Sequence, residues 1–152
     1  MTYALGMEEL GRADSALRGI VSVSSGLVGK SILFHGTDEQ KQEWLPQLAA
    51  ATKLGCFGLT EPGTGSDAGN LTSRAVRDGS DWVIDGRKLF ITNGTWADVA
   101  LVFARTSDDG PRGITAFLVP TDSSRQPCTM PTQPAATETR PLSSVVIAIL
   151  KP

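Results

Sequence analysis

The chain of 152 residues has a mass of 16.0 kDa, which suits one ordinary domain or a small domain with part of another. Its 14 basic and 16 acidic side chains leave a net charge of −2, and 40% of its residues are hydrophobic. This balance excludes a basic nucleic-acid-binding surface and a wholly disordered chain. The longest uninterrupted apolar run, residues 145–150, is much shorter than the ~20 residues of a membrane-spanning helix, so we expect no membrane span.

The N-terminus and the cysteines bear on the cellular compartment. The first ten residues include Glu8 and Glu9 and lack the basic segment and apolar core of a secretory signal. Cys56 and Cys128 fit no metal-binding spacing, so we expect two reduced thiols and no metal site. These features predict a cytoplasmic protein.

The first 50 or so residues are predicted to be helical because apolar side chains recur at three- and four-residue spacings. Small residues between positions 24 and 29 would permit close helix approach. Gly36 is expected to end one helix, and Thr37 with Gln40 forms the capping-box pattern that begins the next. Pro46 is expected to break that next helix because proline has no amide proton.

From residue 55 the hydrophobic period changes to two, which indicates β-strands. The predicted strands cover residues 56–60, 72–77, 81–92, 97–104 and 113–119. Asp-Gly and Asn-Gly turn signals between them favour an antiparallel barrel or sandwich. The predicted fold class is therefore α+β, with N-terminal helices followed by an antiparallel β-barrel-like middle domain.

The last 30 residues have a different composition. Every glycine and every aromatic residue lies at or before Phe117, whereas residues 123–144 are rich in Pro, Ser and Thr. Such a segment buries too little apolar area to offset chain ordering, so we expect it to be disordered or loosely extended. Residues 145–149 are strand-like and are expected either to pair with an exposed sheet edge or to form an aggregation-prone end.

Three sequence patterns that could indicate an active site are more typical of structural roles. Residues 25–31 approach a phosphate-binding loop but have serine at position 24, where the pattern needs glycine, and they lie in a helical segment. His35, the single histidine, is expected to be structural or solvent-facing. Glu61 and Asp67 form a conceivable acid/base pair, but carboxylates among glycines more often accept hydrogen bonds from loop amides.

A glycine-rich segment at residues 57–67, FGLTEPGTGSD, is more informative. A predicted strand enters a loop of glycines and hydroxyl side chains, which presents backbone amides and hydroxyls to a flat or phosphorylated ligand. Taken alone, the segment is also consistent with an ordinary glycine-rich turn.

Together with two other segments, this loop resembles the flavin-dependent acyl-CoA dehydrogenases. The matching segments are residues 34–46 (FHGTDEQKQEWLP), 59–67 (LTEPGTGSD) and 84–94 (IDGRKLFITNG). Their order, their spacing and the change from helix to strand all agree with the family. The likeness covers about residues 4–122.

The resemblance implies three parts in the chain. These are a partial N-terminal helical domain at 1–52, a middle β domain with a flavin loop at 53–122, and an atypical tail at 123–152. The family's C-terminal helical bundle has no counterpart in this sequence. Because relatives draw their catalytic carboxylate base from that bundle, we assign no catalytic residue and expect an incomplete fragment that is inactive alone.

The resemblance also implies where FAD would bind. In family members the matching strand and loop line the flavin, with Thr60 bonded to the pyrimidine side of the ring and Ser66 near the pyrophosphate and the CoA substrate. Phe90 matches an aromatic residue, commonly tryptophan, that covers the ring, and Thr92 lies near the hydride-accepting nitrogen. The expected cofactor contacts are Phe57, Leu59, Thr60, Gly65, Ser66, Phe90, Ile91 and Thr92.

By the same resemblance, the expected reaction is α,β-dehydrogenation of an acyl-CoA thioester in fatty acid metabolism, with hydride passing to flavin. The expected partners are acyl-CoA, electron-transfer flavoprotein as electron acceptor, and further copies of the chain in a homo-oligomer. Three alternatives stay open: an acyl-CoA oxidase or other relative with the same flavin site, a non-catalytic remnant or interaction module, and a half-enzyme completed by a separate chain. The sequence does not report acyl-chain length.

Overall fold

A computed structural model describes residues 2–79, 81–121 and 148–149, and it shows helices followed by a β-sheet, as predicted. The helical part consists of α1 (Thr2–Ala13), α2 (Ser15–Val21), a π-helical stretch (Ser22–Gly29), α3 (Lys30–His35) and α4 (Asp38–Ala49).

The predicted helix boundary at residues 36–40 is confirmed. Gly36 is the C-cap of α3, and its amide donates to the carbonyl of Ile32 over 2.8 Å. Both halves of the capping box are present, because Gln40 N donates to Thr37 Oγ1 and Thr37 N donates to Gln40 Oε1.

The predicted break at Pro46 is wrong, because α4 continues through this residue to Ala49. A proline removes only its own amide hydrogen bond, and the Pro46 carbonyl still accepts from Ala50 N over 3.0 Å. The side-chain amide of Gln47 also donates to the Glu43 carbonyl over 2.5 Å. These hydrogen bonds stabilise the final turn of α4.

The helix Ser15–His35, which runs from α2 through α3, is long and apolar enough to cross a membrane by length and composition alone. Serines and glycines interrupt its apolar residues, so a search for one continuous run does not find it. Core helices of soluble proteins pass the same test, which makes this weak evidence for a span. Here Val28 and Ile32 are fully buried within the protein, and Gly26 packs directly against Tyr3 of α1.

The sheet contains β1 (Gly55–Gly58), β2 (Arg74–Asp78), β3 (Asp81–Asp85), β4 (Val99–Arg105), β5 (Ile114–Pro120) and β6 (Ala148–Ile149). Its order is β3-β2-β4-β5-β6, and β1 also pairs with β4. The β2–β3 and β4–β5 pairs are antiparallel, as the turn signals predict. The sheet as a whole is mixed, since β1 runs parallel to β4 and β2 meets β4 in a single parallel pair. The long connection from β1 to β4 makes the parallel pairing possible.

The predicted strand 81–92 is wrong beyond Asp85, where β3 ends. Gly86 has a φ of 154°, and a Cβ there would collide with Ser73. The chain then turns, and Phe90 (φ 57°) and Asn93 (φ 66°) both adopt the left-handed conformation. Alternating hydrophobicity alone did not reveal this turn.

The predicted strand near the C-terminus is partly described. Ala148 and Ile149 pair antiparallel with Leu118 and Phe117 of β5, so this segment adds to a sheet edge as expected. The predicted disorder of residues 123–144, the rest of the strand prediction at 145–147, and Cys128 lie outside the described residues.

Two apolar clusters lie on opposite faces of the central strands, because successive residues of β4 and β5 point to opposite sides. The helix-side cluster joins the sheet to the helices and contains Val28, Ile32, Trp44, Leu48, Val99, Leu101 and Leu118. The hairpin-side cluster lies under β2 and β3 and contains Cys56, Ala75, Ile84, Ile91, Ala97, Ala100, Val102, Ala104, Phe117 and Val119.

Candidate functional site

Hydrogen bonds join the loop that follows β1 to the segment that follows β3. Leu89 N donates to the Thr60 carbonyl over 2.8 Å, and Lys88 Nζ donates to the Leu59 carbonyl over 3.2 Å. The expected contacts Leu59 and Thr60 therefore lie beside the segment that leads directly into residues 90–92. Segments about 30 residues apart in the sequence meet at one place.

A buried ion pair holds this meeting point. Lys88 Nζ lies 2.7 Å from Glu61 Oε1, and the two side chains are 3% and 2% exposed, respectively. Glu61 also accepts hydrogen bonds from Thr72 N, Thr72 Oγ1 and Ser73 N at 2.6–2.9 Å. We refer to Glu61, Lys88, Thr72 and Ser73 as the polar junction.

The polar junction keeps Glu61 ionised. Burial by itself would raise the pKa of Glu61, but hydrogen bonds from Lys88, Ser73 and Thr72 outweigh it and lower the pKa to about 2. For Lys88, burial lowers the pKa and the neighbouring Glu61 opposes that effect. A carboxylate so strongly stabilised is a poor proton acceptor, which supports a structural role for Glu61.

The loop after β1 is tight at its start and open at its tip. Glu61 and Thr64 exchange two backbone hydrogen bonds, of 2.9 and 3.2 Å, and the buried Thr64 hydroxyl has no hydrogen-bond partner. Gly65 and Ser66 are exposed, and the Cβ position of Gly65 faces open space. The loop thus offers uncharged donors and bare backbone to a ligand.

The segment that begins two residues after Lys88 lines an open cavity of about 430 Å³. It is lined by Phe90, Ile91, Thr92, Asn93, Thr95 and Trp96. Both aromatic residues in this lining are strongly exposed, Phe90 at 77% and Trp96 at 67%. Aromatic surface next to hydroxyl groups suits a flat, partly polar ligand.

Asn93, one of the lining residues, forms hydrogen bonds that connect this cavity to the sheet and to the helices. Its side-chain amide donates to the Gly55 carbonyl in β1 over 3.1 Å and to the Ile20 carbonyl in α2 over 3.3 Å. Its Oδ1 atom is buried and has no hydrogen-bond partner. Asn93 therefore connects the cavity with both the sheet and the helices.

The expected cofactor contacts do not all share one surface. Phe57 lies against Phe103 in the helix-side cluster, with ring centroids 5.1 Å apart, whereas Ile91 belongs to the hairpin-side cluster. Thr92 and Phe90 are exposed at the cavity, and Leu59 and Thr60 are half-buried at the polar junction.

The structure agrees with the structural roles predicted for residues 25–31, for His35 and for the carboxylates Glu61 and Asp67. Residues 25–31 are helical, with no strand before them, and His35 is exposed in the last turn of α3. Asp67 is exposed and accepts a hydrogen bond from Asn70 Nδ2, while Glu61 is buried in the polar junction. Glu61 and Asp67 thus occupy unlike environments and do not form an acid/base pair.

Sequence reasoning missed Lys88, Asn93 and Trp96. Lys88 carries a charge inside a run otherwise read as a strand, and such a charge needs a buried partner or a turn. Asn93 stands in an Asn-Gly pair, which already indicates a left-handed backbone. Trp96 follows that turn as an isolated aromatic residue, and nothing in its local pattern distinguishes it from a core residue.

Comparison with known proteins gives matches along most of the chain. The model of the acyl-CoA dehydrogenase N-terminal domain matches residues 1–52, and that of the acyl-CoA dehydrogenase middle domain matches residues 56–146. Among curated proteins, the mitochondrial short-chain specific acyl-CoA dehydrogenase of Bos taurus is 44% identical over 121 residues, 79% of this chain and 29% of the relative.

Two solved structures show the same similarity. A glutaryl-CoA dehydrogenase from Mycobacterium smegmatis in complex with FADH2 matches with a TM-score of 0.73 and 45% identity, covering 97% of this chain and 36% of its own. A structure described as the electron transferring flavoprotein of Acidaminococcus fermentans matches with a TM-score of 0.76 and 41% identity, covering 78% and 31%.

This chain spans about a third of the length of the relatives it matches. The middle-domain match alone includes more than half of its residues and contains both segments that meet at the polar junction. The chain belongs to the acyl-CoA dehydrogenase family.

Proposed function

We propose that this chain forms the flavin-binding part of an FAD-dependent acyl-CoA dehydrogenase. The observation that carries the proposal is the meeting of residues 59–61 with residues 88–92 beside an open cavity, in a family member. The proposed reaction is α,β-dehydrogenation of an acyl-CoA thioester. We also propose domain limits at 1–52, 53–122 and 123–152.

The residues of the loop after β1 and of the cavity fit a flavin nucleotide. In the loop, the buried Thr64 hydroxyl lacks a partner and Gly65 and Ser66 are exposed without charge, while Phe90 and Trp96 give the cavity an aromatic surface. A loop of this kind suits a pyrophosphate, and aromatic surface suits a planar ring. When bound, FAD would supply the hydride acceptor.

Distinct tasks are proposed for four of the contacts. Thr60 offers a hydroxyl to the pyrimidine side of the ring, where negative charge develops on reduction. Phe90 covers the ring with an apolar surface, and Thr92 places its hydroxyl near the hydride-accepting nitrogen; Ile91 lies between them in the lining of the cavity. Ser66 serves both the pyrophosphate and the substrate's CoA end. The remaining proposed contacts are Phe57, Leu59 and Gly65.

We assign no catalytic base among the described carboxylates near the loop. Glu61 is buried and has a pKa of about 2, and Asp67 is exposed and bonded to Asn70. The reaction needs a carboxylate positioned at the substrate's α carbon, with a pKa closer to the working pH. We therefore propose that a segment outside this chain supplies it, and that this chain alone does not turn over.

The proposed partners are acyl-CoA, an electron-transfer flavoprotein as electron acceptor, and further copies of the chain. The second follows from the proposed reaction, because the reduced flavin has to pass its electrons to an acceptor. The cytoplasm is the proposed location on sequence grounds, and the bovine relative is named as mitochondrial. Cell fractionation with an antibody to this chain tests the location.

FAD titration tests the proposed function. The purified chain is expected to quench flavin fluorescence saturably, with weak affinity because it spans about a third of its relatives. Thr60→Val removes a proposed contact and is expected to weaken binding about tenfold, which corresponds to about 1.4 kcal/mol. Thr52→Val, which changes an exposed threonine outside both segments, is the matched control and should bind like the wild type.

Two results would contradict the proposed function. The first is the absence of saturable FAD binding by a chain that circular dichroism shows to be folded. The second is an equal effect of Thr60→Val and Thr52→Val on the dissociation constant.

A further inference from the structure

We propose that Glu61 and Lys88 are positioning residues for the flavin contacts, and that their ion pair sets the spacing between residues 59–60 and residues 90–92. This inference rests on the proposed function. Neither side chain needs to touch the ligand, because both are at most 3% exposed. They act through the backbone on either side of them.

The position of the pair in the chain supports this role. Glu61 directly follows Thr60, and Lys88 lies two residues before Phe90. The Lys88 ammonium bonds both to the Glu61 carboxylate, over 2.7 Å, and to the Leu59 carbonyl, over 3.2 Å. One buried cation is thus tied to two points of the loop that carries half of the proposed contacts.

The backbone at Phe90 gives a second reason. Phe90 has a φ of 57°, a left-handed conformation that residues other than glycine rarely adopt. Its ring is 77% exposed, so packing of the side chain does not hold this conformation. The buried neighbours do, with Lys88 and the Leu89 N–H···O=C Thr60 bond on one side and Ile91 on the other.

An ion pair is better suited to fixing geometry than to adding stability. Desolvation of two charges cancels much of their attraction, so a buried pair often stabilises no more than apolar residues of the same size. The hydrogen bonds of the pair, however, require defined distances and directions. Thr72 donates to Glu61 Oε2, and Ser73 N donates to Oε1, the oxygen that Lys88 also bonds, so further donors hold the carboxylate that Lys88 faces.

The main variant is Lys88→Met, which keeps most of the side-chain length and removes the charge. Its matched control is Leu48→Ala, which destabilises the helix-side cluster and leaves residues 59–61 and 88–92 unchanged. Both are compared with the wild-type chain at a temperature where circular dichroism shows all three to be folded. The two measurements are amide hydrogen exchange without FAD and the dissociation constant for FAD.

In Lys88→Met we expect exchange at residues 89–92 to rise about tenfold relative to β5, and the FAD dissociation constant to rise about tenfold. In Leu48→Ala we expect faster exchange in the helices and an FAD dissociation constant within about twofold of the wild type. The visible circular dichroism of saturated flavin should change only in Lys88→Met. A purely structural role would make the two variants alike.

The inference is overturned if folded Lys88→Met binds FAD as the wild type does, or if Leu48→Ala weakens binding equally. Should Lys88→Met not fold, Glu61→Gln takes its place, because it keeps the side-chain volume, removes the charge and replaces one of the two acceptor oxygens with an amide donor. The same expected and contrary outcomes apply to it. A wild-type chain that binds no FAD overturns the proposed function together with this inference, whereas wild-type binding with unaffected variants overturns the inference alone.

Discussion

The helix-side cluster and the polar junction stabilise neighbouring parts of the protein by different means. The helix-side cluster is apolar: Val28 and Ile32 pack on the sheet, and Trp44 and Leu48 pack beside them. The polar junction places a carboxylate and an ammonium in the interior, with hydrogen bonds from Thr72 and Ser73. Apolar contacts tolerate small shifts, whereas hydrogen bonds between buried charges do not.

This difference matches the two tasks. The helices need only remain attached to the sheet, for which non-directional burial suffices. The loops that follow β1 and β3 have to hold exposed groups at fixed positions, and these groups cannot be held by their own burial. The buried hydrogen bonds of the polar junction, which are directional, therefore hold these groups in place. The following changes test that contrast, beginning with the largest expected effect.

Glu61→Ala should be the most damaging change. It leaves the Lys88 ammonium without its counter-ion and removes the acceptor of the Thr72 and Ser73 amides. Loss of one partner of a buried pair costs about 3–5 kcal/mol. We expect the free energy of unfolding, measured by urea denaturation, to fall by that amount. A loss below about 1 kcal/mol, typical of a surface ion pair, would contradict the description of the junction.

Acid should weaken the same network. Against the effect of burial, hydrogen bonds from Lys88, Ser73 and Thr72 lower the pKa of Glu61 to about 2 in the folded chain, from the ordinary 4.5 of a glutamate side chain. A lowered carboxyl pKa stabilises the fold at pH values above the unfolded pKa, and this stabilisation is lost as pH falls through the folded pKa. We expect the unfolding free energy to decrease between about pH 4.5 and pH 2. In Glu61→Gln this decrease should be smaller, and an unchanged pH profile would refute the assignment.

Gly55→Ala tests the close approach of β1 to the helices. A Cβ at this position would lie 2.9 Å from Val28 Cβ, which is too close. Overpacking of this kind costs about 1–3 kcal/mol. Val28→Ala should relieve part of the cost, so the double variant is expected to be more stable than the sum of the two single effects predicts. Strict additivity in urea denaturation would show that the contact is not tight.

Thr37→Ala should have the smallest effect of the four. It removes the hydroxyl that accepts from Gln40 N at the start of α4. Loss of such a cap costs about 1 kcal/mol. Thr37→Ser keeps the hydroxyl and should retain most of the stability in thermal unfolding. Equal losses in the two variants would indicate that the methyl group, and not the cap, matters.

Much of the fold follows from local sequence patterns. The capping box at Thr37 and Gln40, the end of α3 at Gly36 and the change to strands at residue 55 each depend on a few neighbouring residues. Pro46 was misread because its effect depends on how many helical hydrogen bonds remain after it. The strand prediction beyond Asp85 failed because the path of residues 86–93 depends on distant residues: Ser73 leaves no room for a side chain at Gly86, and the Thr60 carbonyl accepts from Leu89 N.

The site was only partly readable from the sequence. The motif at residues 59–67 identified the loop, and residues 90–92 were identified as its companion segment. The sequence did not reveal that Glu61 and Lys88 form the contact between them, because 27 positions separate the two residues. Nor did it reveal that Phe57 packs toward the helices while Ile91 packs toward the hairpin.

By itself, the sequence determined the family, the order of helices and strands, and which segments carry uncharged donors, since these depend on local composition and spacing. Only the tertiary structure decided the parallel pairing of β1 with β4, the left-handed turn at Phe90 and the burial of the Glu61–Lys88 pair. Each of these depends on residues far apart in the chain. Their energies depend on the desolvation and hydrogen bonding of groups that only the fold brings together. A local sequence pattern does not contain this information.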